Sequence, residues 1–269
     1  MSNKKPFFNR ARLLVGDSLM DRLDRTKVII FGVGGVGSWC AEGLVRSGVG
    51  HLTIVDSDRV CITNVNRQMM ATSKTVGMVK VEALKERLLE INPEVEINAV
   101  QAIYSEETAS QFKLESYDFI VDAIDSLKDK ATLILNATRS GAKFYSSMGA
   151  ALKLDPTKIK VAEFWKVKGC PLARALRQRF KKRKEYPSHK FLCVYSDELL
   201  ENKGKESSCG TDKCVCPRTT EAPGEASLAN HEWCSSKARI NGSLMHITSI
   251  FGLTLAGLII RQIESEGAS

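Results

Sequence analysis

The segment GVGGVG, residues 32 to 37, constrains the fold of this chain more than any other feature. It follows an apolar, β-branched run at 26–32, and a second run of the same kind covers 51–56. The helix between these two strands has to begin near Gly35 and end near Gly48. A strand, a glycine-rich turn, a helix and a strand form a βαβ unit, and such units are typical of parallel sheets.

The same alternation continues along the chain. Apolar residues at helical spacing, closed by Asn92 and Pro93, predict the next helix, and a further helix is predicted at 127–140. This order predicts an α/β fold with a doubly wound, Rossmann-like, mostly parallel sheet, helices on both faces and a C-terminal elaboration. The further strands are predicted at 95–100, 117–125, 143–150 and 158–165.

The composition changes after Trp165, so we divide the chain there. Residues 1–165 are expected to form the core, and residues 166–269 to add a basic helix, a cysteine-containing loop and a C-terminal helix that complete the same domain. The apolar run at 244–260 falls just short of a spanning length and carries a histidine, hydroxyls and two glycines, which favours a buried or interface helix over a membrane span. We expect no secretion signal and a cytoplasmic protein.

The chain has eight cysteines, which without a secretion signal indicate reduced thiols. Five are scattered and are expected to be packing residues, whereas Cys209, Cys214 and Cys216 form C-x4-C-x-C. A metal site with a fourth ligand stays open, but paired CxxC motifs are missing, so we expect a thiol-bearing loop without zinc. The candidate fourth ligands are Cys193, Cys234 and His231.

Positive charge is concentrated between residues 166 and 190, where ten basic residues stand against one acid, Glu185, a local net of +9. The whole chain carries +8, so the rest is close to neutral. A local excess of this size indicates a polyanionic partner, and a solvated helix face is the alternative. The candidate nucleic-acid contacts lie opposite the apolar stripe of the predicted helix: Arg174, Arg177, Lys181 and Lys184.

The glycine turn also predicts a nucleotide site. Gly34, Gly35 and Gly37 allow close backbone approach at a helix N-terminus, whose free N–H groups attract phosphate. Asp56, at the end of the next strand, is placed to accept hydrogen bonds from a ribose. This motif alone is compatible with an NAD-dependent oxidoreductase as well as with an ATP site.

The residues that follow favour a triphosphate. Arg67 and Lys80 can clamp phosphates, and the valines beside Lys80 predict that it is half-buried. Asp125, at the carboxyl edge of the sheet, is the candidate ligand of a magnesium ion bound with ATP. A clamp without a Walker lysine motif predicts attack on the α-phosphate, which makes an acyl-adenylate. The other residues expected at this site are Asp58, Asn64, Gln68 and Asp122. For Asp122 a structural role as a cap at the strand end is the alternative.

These motifs together resemble one protein family. The series GxGGxGS, DxDxVxxxNxNRQ, VGxxKxE, INP and DAIDS is similar to the bacterial adenylating branch of the ubiquitin-activating superfamily. The stretches LDPTKIKV, PLARALRQRFKK and CVYSDE resemble the members of that branch that act on tRNA. The resemblance covers about residues 10 to 200 and resumes in the last helix.

The resemblance implies an ATP-binding adenylation core and a homodimer in which Arg12 reaches the phosphates of the other subunit. It implies as substrate a threonylcarbamoyl-modified adenosine beside the tRNA anticodon, adenylated on its carboxylate and then cyclised with net loss of water. A sulfur-transfer or cysteine desulfurase partner is also implied. Cys234 is displaced by three residues from the position of a cysteine in some members, so we assign it no thioester role. An adenylyltransferase for a ubiquitin-like or sulfur-carrier protein is the nearest alternative.

Overall fold

The computed structural model describes residues 6–204 and 241–267 of the 269-residue chain. Within these residues seven strands form one sheet in the order β3-β2-β1-β4-β5-β7-β6. Neighbouring strands are parallel, except that β6 is antiparallel to β7. The strands are β1 (Lys27–Phe31), β2 (His51–Val55), β3 (Glu96–Val100), β4 (Phe119–Asp122), β5 (Lys143–Ser147), β6 (Ile159–Glu163) and β7 (Leu192–Ser196).

Helices cover both faces of this sheet, as the sequence predicted. Alternate strand residues point to opposite faces, so Val28 and Ile30 pack with α1, α2, α3 and α6, whereas Ile29 and Phe31 pack on the side of α4 and α5. The helices are α1 (Asn9–Arg25), α2 (Gly37–Arg46), α3 (Lys80–Ile91), α4 (Leu127–Ala137), α5 (Pro171–Arg183) and α6 (Met245–Glu266).

The structure adds two features that the sequence analysis missed. The strand β7 inserts between β5 and β6, so residues beyond 165 complete the same sheet. The helix α1 precedes β1, and Gly16 interrupts it with a positive φ of 77°. Other bounds shift by a few residues: α4 ends at Ala137, before the predicted 140, and α6 begins at Met245, whereas the sequence predicts a start near Asn241.

The last helix crosses α2 at close range. A Cβ atom on Gly252 would overlap the carbonyl oxygen of Val36, so only glycine permits this approach. Among the described residues α6 alone is long and apolar enough to cross a membrane, and half of its most apolar 18-residue window is buried inside the protein. Its start brings Thr248, 4% exposed, beside Gly35 of the glycine turn.

Four of the five scattered cysteines lie in the described part of the chain, and all four are buried free thiols, as predicted: Cys40, Cys61, Cys170 and Cys193. Burial raises the pKa of the Cys193 thiol well above its ordinary value. The remaining cysteines and His231 lie outside the described residues.

Candidate nucleotide and adenylation site

The site is built where β1, β2 and β4 end, because parallel strands place their carboxyl ends at one edge of the sheet. Gly32 has a φ of 83°, and its N–H donates to the carbonyl of Val55 at 2.8 Å. A Cβ atom on Gly37 would overlap the carbonyl oxygen of Gly32, so the turn closes only with glycine there. The turn leads directly into α2, whose first N–H groups therefore face this edge.

Asp56 is fixed at the end of β2 by two backbone amides. Its Oδ2 accepts from the N–H of Val33 at 2.8 Å, and its Oδ1 accepts from the N–H of Asp58 at 2.9 Å. Burial, with the neighbouring charge of Asp58, raises the pKa of the Asp56 carboxyl, although Lys80 and the two amides oppose the shift. The carboxylate is thus held in one orientation beside the glycine turn.

Lys80 interacts with three aspartates at this edge of the sheet. Its Nζ lies 2.7 Å from Oδ2 of Asp58 and 3.7 Å from Oδ1 of Asp56, and Asp125 is within electrostatic range. Burial lowers the pKa of Lys80, but the three carboxylates outweigh it and raise that pKa above its ordinary value. Lys80 is therefore a charged residue at neutral pH, and at 5% exposed it is more deeply buried than predicted.

A short pairing of backbone segments brings Lys80 to this place. Arg59 and Val79 form an antiparallel bridge, and the N–H of Lys80 donates to the carbonyl of Asp58 at 3.0 Å. The buried side chain of Arg59 holds the same pairing by donating to the carbonyl of Gly77 at 2.9 Å. These contacts join residues 18 to 22 positions apart, which no local pattern could predict.

The segment after β2 places Arg67 and Gln68 near the turn. Nη1 of Arg67 donates to the carbonyl of Thr63 and to Oδ1 of Asn66, so the guanidinium is folded onto its own turn. Gln68 is 93% buried beside Gly34, and its Oε1 has no hydrogen-bond partner among the described residues. The buried side chain of Asn64 instead accepts from the N–H of Cys61 at 3.0 Å, so its phosphate contact stays a prediction.

Two residues that the sequence analysis left without a role connect this segment to the turn. Ser38 Oγ donates to the carbonyl of Gly34 at 2.7 Å and accepts from the N–H of Met69 at 3.2 Å. Trp39 Nε1 donates to the carbonyl of Arg67 at 3.0 Å. The serine ends the motif GxGGxGS, so its position was visible in the sequence, whereas its contact was not.

Asp122 and Asp125, three residues apart, have different environments. Asp122 is fully buried and binds Lys130 at 2.8 Å and Ser146 at 2.6 Å. Its Oδ1 also accepts from the N–H of Ile124 at 3.1 Å, a contact of the kind expected from a strand-end cap. Its direct role in cofactor binding stays a prediction. Asp125 is exposed at the sheet edge and interacts electrostatically with Lys80, so the structure brings it to the candidate site.

The remaining predicted residues lie on α1 and on or just after α5, outside the cluster around Lys80. Arg12 lies in α1, where its Nε is 3.1 Å from Oδ1 of Asp17, and its reach to a second subunit stays a prediction. Arg174 and Lys181 on α5 are exposed, and so is Lys184, which directly follows that helix. Arg177 differs, because it donates to the carbonyl of Phe164 at 3.0 Å and lies 5.8 Å from the centre of that ring.

Comparison with known proteins assigns the family. The model of the ThiF family matches residues 8–266. The chain belongs to the ThiF family. It is 42% identical over 191 residues to the tRNA threonylcarbamoyladenosine dehydratase of Bacillus subtilis, covering 71% of this chain and 74% of that protein. To the protein of the same name from Haemophilus influenzae it is 34% identical, covering 94% of this chain and 90% of that protein.

Solved structures agree with this membership of the ThiF family. The chain matches the crystal structure of E. coli tRNA N6-threonylcarbamoyladenosine dehydratase in complex with ATP with a TM-score of 0.79 and 29% identity. The match covers 97% of this chain and 95% of that one. The α/β fold predicted from the sequence is therefore confirmed.

Proposed function

We propose that this chain is an ATP-dependent tRNA threonylcarbamoyladenosine dehydratase. The observation that carries the proposal is the cluster of Lys80 with Asp56, Asp58 and Asp125 beside the glycine turn. The names of the relatives, and the ATP bound in the E. coli structure, support the same reaction.

The residues at the sheet edge suit attack on the α-phosphate of ATP. The N-terminus of α2 would bind phosphate oxygens, and Asp56 would accept hydrogen bonds from the ribose. Lys80 would stabilise the negative charge that accumulates as the substrate carboxylate attacks and pyrophosphate leaves, and Arg67 would do the same once its side chain turns from Thr63 toward the phosphates. The ureido group then attacks the acyl-adenylate and gives up a proton, and AMP leaves with one carboxylate oxygen, so the nucleoside has lost the elements of one water.

Magnesium would bind with the nucleotide at Asp125. The donor set fits, because three carboxylates face one lysine and hard oxygen ligands are those that magnesium prefers. The ion would neutralise charge on the phosphates. Among the described residues no group of three or more ligands is placed to hold a metal by itself.

The homodimer is part of the proposal. Leu13 and Leu14 are 87% and 86% exposed beside Arg12, an apolar surface that a second copy would cover. Mixing Arg12→Ala and Lys80→Met variants tests this: random exchange of subunits gives about a quarter of wild-type activity if Arg12 serves the partner's site, and none if it serves its own.

We expect the enzyme in the cytoplasm, with tRNA along the exposed part of the basic helix α5. The sulfur-transfer partner stays a prediction.

Nucleoside mass spectrometry tests the reaction. Incubation with ATP, magnesium and tRNA carrying the open threonylcarbamoyl base should lower the mass of that nucleoside by one water. ATP with a non-cleavable bond between the α- and β-phosphates is the control and should leave the mass unchanged. An unchanged mass with ATP itself overturns the proposal, and pyrophosphate exchange that depends on a small carrier protein would favour the adenylyltransferase alternative.

A further inference from the structure

An exposed pair of aromatic side chains lies at the foot of the basic helix. The rings of Trp165 and Tyr186 are 6.2 Å apart, centre to centre, at an angle of 44°, and the two residues are 40% and 49% exposed. The neighbouring aromatic residues Phe164, Phe180 and Phe191 are all buried. The protein core therefore uses the adjacent phenylalanines and leaves this pair at the surface.

Two local features of the fold hold the pair together. Phe164 is anchored against Phe180 and Phe191, which places the next residue, Trp165, on the outside. At the other end Lys184 adopts a left-handed conformation with φ of 56°, and the N–H of Glu185 donates to the carbonyl of Phe180. This reversal of the chain after α5 brings Tyr186 back to Trp165.

The positive charge near the pair indicates the kind of partner that it binds. The segment 166–190, which follows Trp165 directly and contains Tyr186, carries the local net of +9, and its exposed cations include Lys166, Lys181 and Lys182. Single-stranded RNA combines phosphates with flat bases, and unpaired bases stack on aromatic side chains within positively charged grooves. A surface with both features fits an RNA strand better than it fits an acidic peptide, which has no faces to stack.

The pair lies at the opposite edge of the sheet from the nucleotide site. Trp165 follows Glu163, which pairs with Leu192 at the start of β7, whereas the nucleotide site is at the strand ends. The 13-residue helix α5 runs between these edges, over about 20 Å. A strand bound along α5 would therefore run from the pair toward the edge of the sheet that carries the nucleotide site.

We propose that Trp165 and Tyr186 form a stacking platform for an unpaired tRNA base other than the one that reacts. The proposal rests on the proposed function for the identity of the RNA. The platform binds and orients tRNA, and it takes no part in the chemistry.

Alanine substitution at each ring tests the platform. Trp165→Ala and Tyr186→Ala should each weaken tRNA binding by about tenfold, measured by fluorescence anisotropy, because the loss of one stacking contact weakens binding by about 5- to 160-fold. The substrate KM should rise while kcat and ATP affinity stay at the wild-type level. Two matched controls should bind tRNA normally: Tyr186→Phe, which keeps the ring, and Leu199→Ala, which shortens a 56% exposed residue near the end of β7.

Tryptophan fluorescence separates this proposal from the proposed function. A short unpaired RNA should quench the emission of the wild type, a duplex of the same length should not, and Trp165→Phe should abolish the quenching. If the wild type binds RNA in this way but leaves the nucleoside unchanged, the reaction is refuted and the platform stands. If both alanine variants bind tRNA as the wild type does, the platform is refuted. It is refuted as well if the variants keep their affinity for tRNA and lose only the ability to associate with a second copy of the chain.

Discussion

Two buried lysines face aspartates at the same edge of the sheet, and they differ in what surrounds them. Lys130 and Asp122 are both fully buried and 2.8 Å apart. Ser146 Oγ and the N–H of Ile124 donate the remaining hydrogen bonds to the Asp122 carboxylate. Lys80 binds Asp58, whose side chain is 35% exposed, and two more carboxylates stand near it. The first group is balanced and closed, whereas the second has an excess of negative charge and opens to solvent.

The difference separates a structural ion pair from a candidate catalytic one. Lys130 Nζ also donates to the carbonyl of Ile124 at 3.0 Å, so the pair fixes both polar groups of the residue just before Asp125. Asp125 itself remains exposed. The closed group thus holds in place the loop that supplies a carboxylate to the open group.

The largest effect is expected where the closed group is broken. Lys130→Met should lower the free energy of unfolding by about 3–5 kcal/mol, because it leaves Asp122 charged and buried without its partner. Urea unfolding measures this, and Lys128→Met, an exposed position on the same helix, should change it by less than about 0.5 kcal/mol. If Lys130→Met lowers the free energy of unfolding by no more than Lys128→Met does, the pair of Lys130 and Asp122 is not a structural ion pair.

A smaller effect on stability, with a large effect on turnover, is expected at the open group. Lys80→Met should reduce turnover by about 100- to 1000-fold, because a charge aimed at the transition state is lost. Its stability loss should be smaller than that of Lys130→Met, because Asp58 can hydrate. Lys85→Met, on the same helix, should keep wild-type turnover in the nucleoside assay. Equal losses of turnover at Lys80 and Lys85 would contradict the assignment.

The smallest effect is a pH dependence. The folded-state pKa of Lys80 is raised above its unfolded value of about 10.4, so its stabilising contribution is complete below that pH and is lost as pH rises through the folded pKa. The difference in unfolding free energy between wild type and Lys80→Met should therefore stay constant from about pH 8 to 10 and narrow only above about 10.4. If the difference in unfolding free energy already narrows between pH 8 and 9, the carboxylates do not keep Lys80 protonated in the folded protein.

Much of the fold could be predicted because its cause is local. The run KVIIF, the glycines after it and the strand HLTIV show a βαβ unit in their own residue types, and the valines around Lys80 indicated its burial. The strand β7 was missed because LCVYS is short and follows a strongly basic stretch. Its partners, β5 and β6, lie earlier in the chain, and their pairing with it leaves no local pattern.

The site could be predicted in its residues but not in its contacts. Asp122 and Asp125 both follow a buried strand, and only the depth of each in the folded protein separates a structural ion pair from an exposed ligand. Arg177 has the spacing of the basic stripe, yet the position of Phe164 beneath it decides its contact. The platform of Trp165 and Tyr186 depends on a chain reversal at Lys184, a residue that rarely adopts a positive φ.

The close crossing of α2 and α6 at Gly252 has a consequence for how the protein is made. The glycine turn is synthesised well before Thr248, which packs beside Gly35 but follows it in the chain by 213 residues. A nascent chain that ends before α6 leaves the apolar face of α2 uncovered and one wall of the turn missing. ATP affinity should therefore be acquired on the ribosome only after α6 has been synthesised, as a single step when that helix docks.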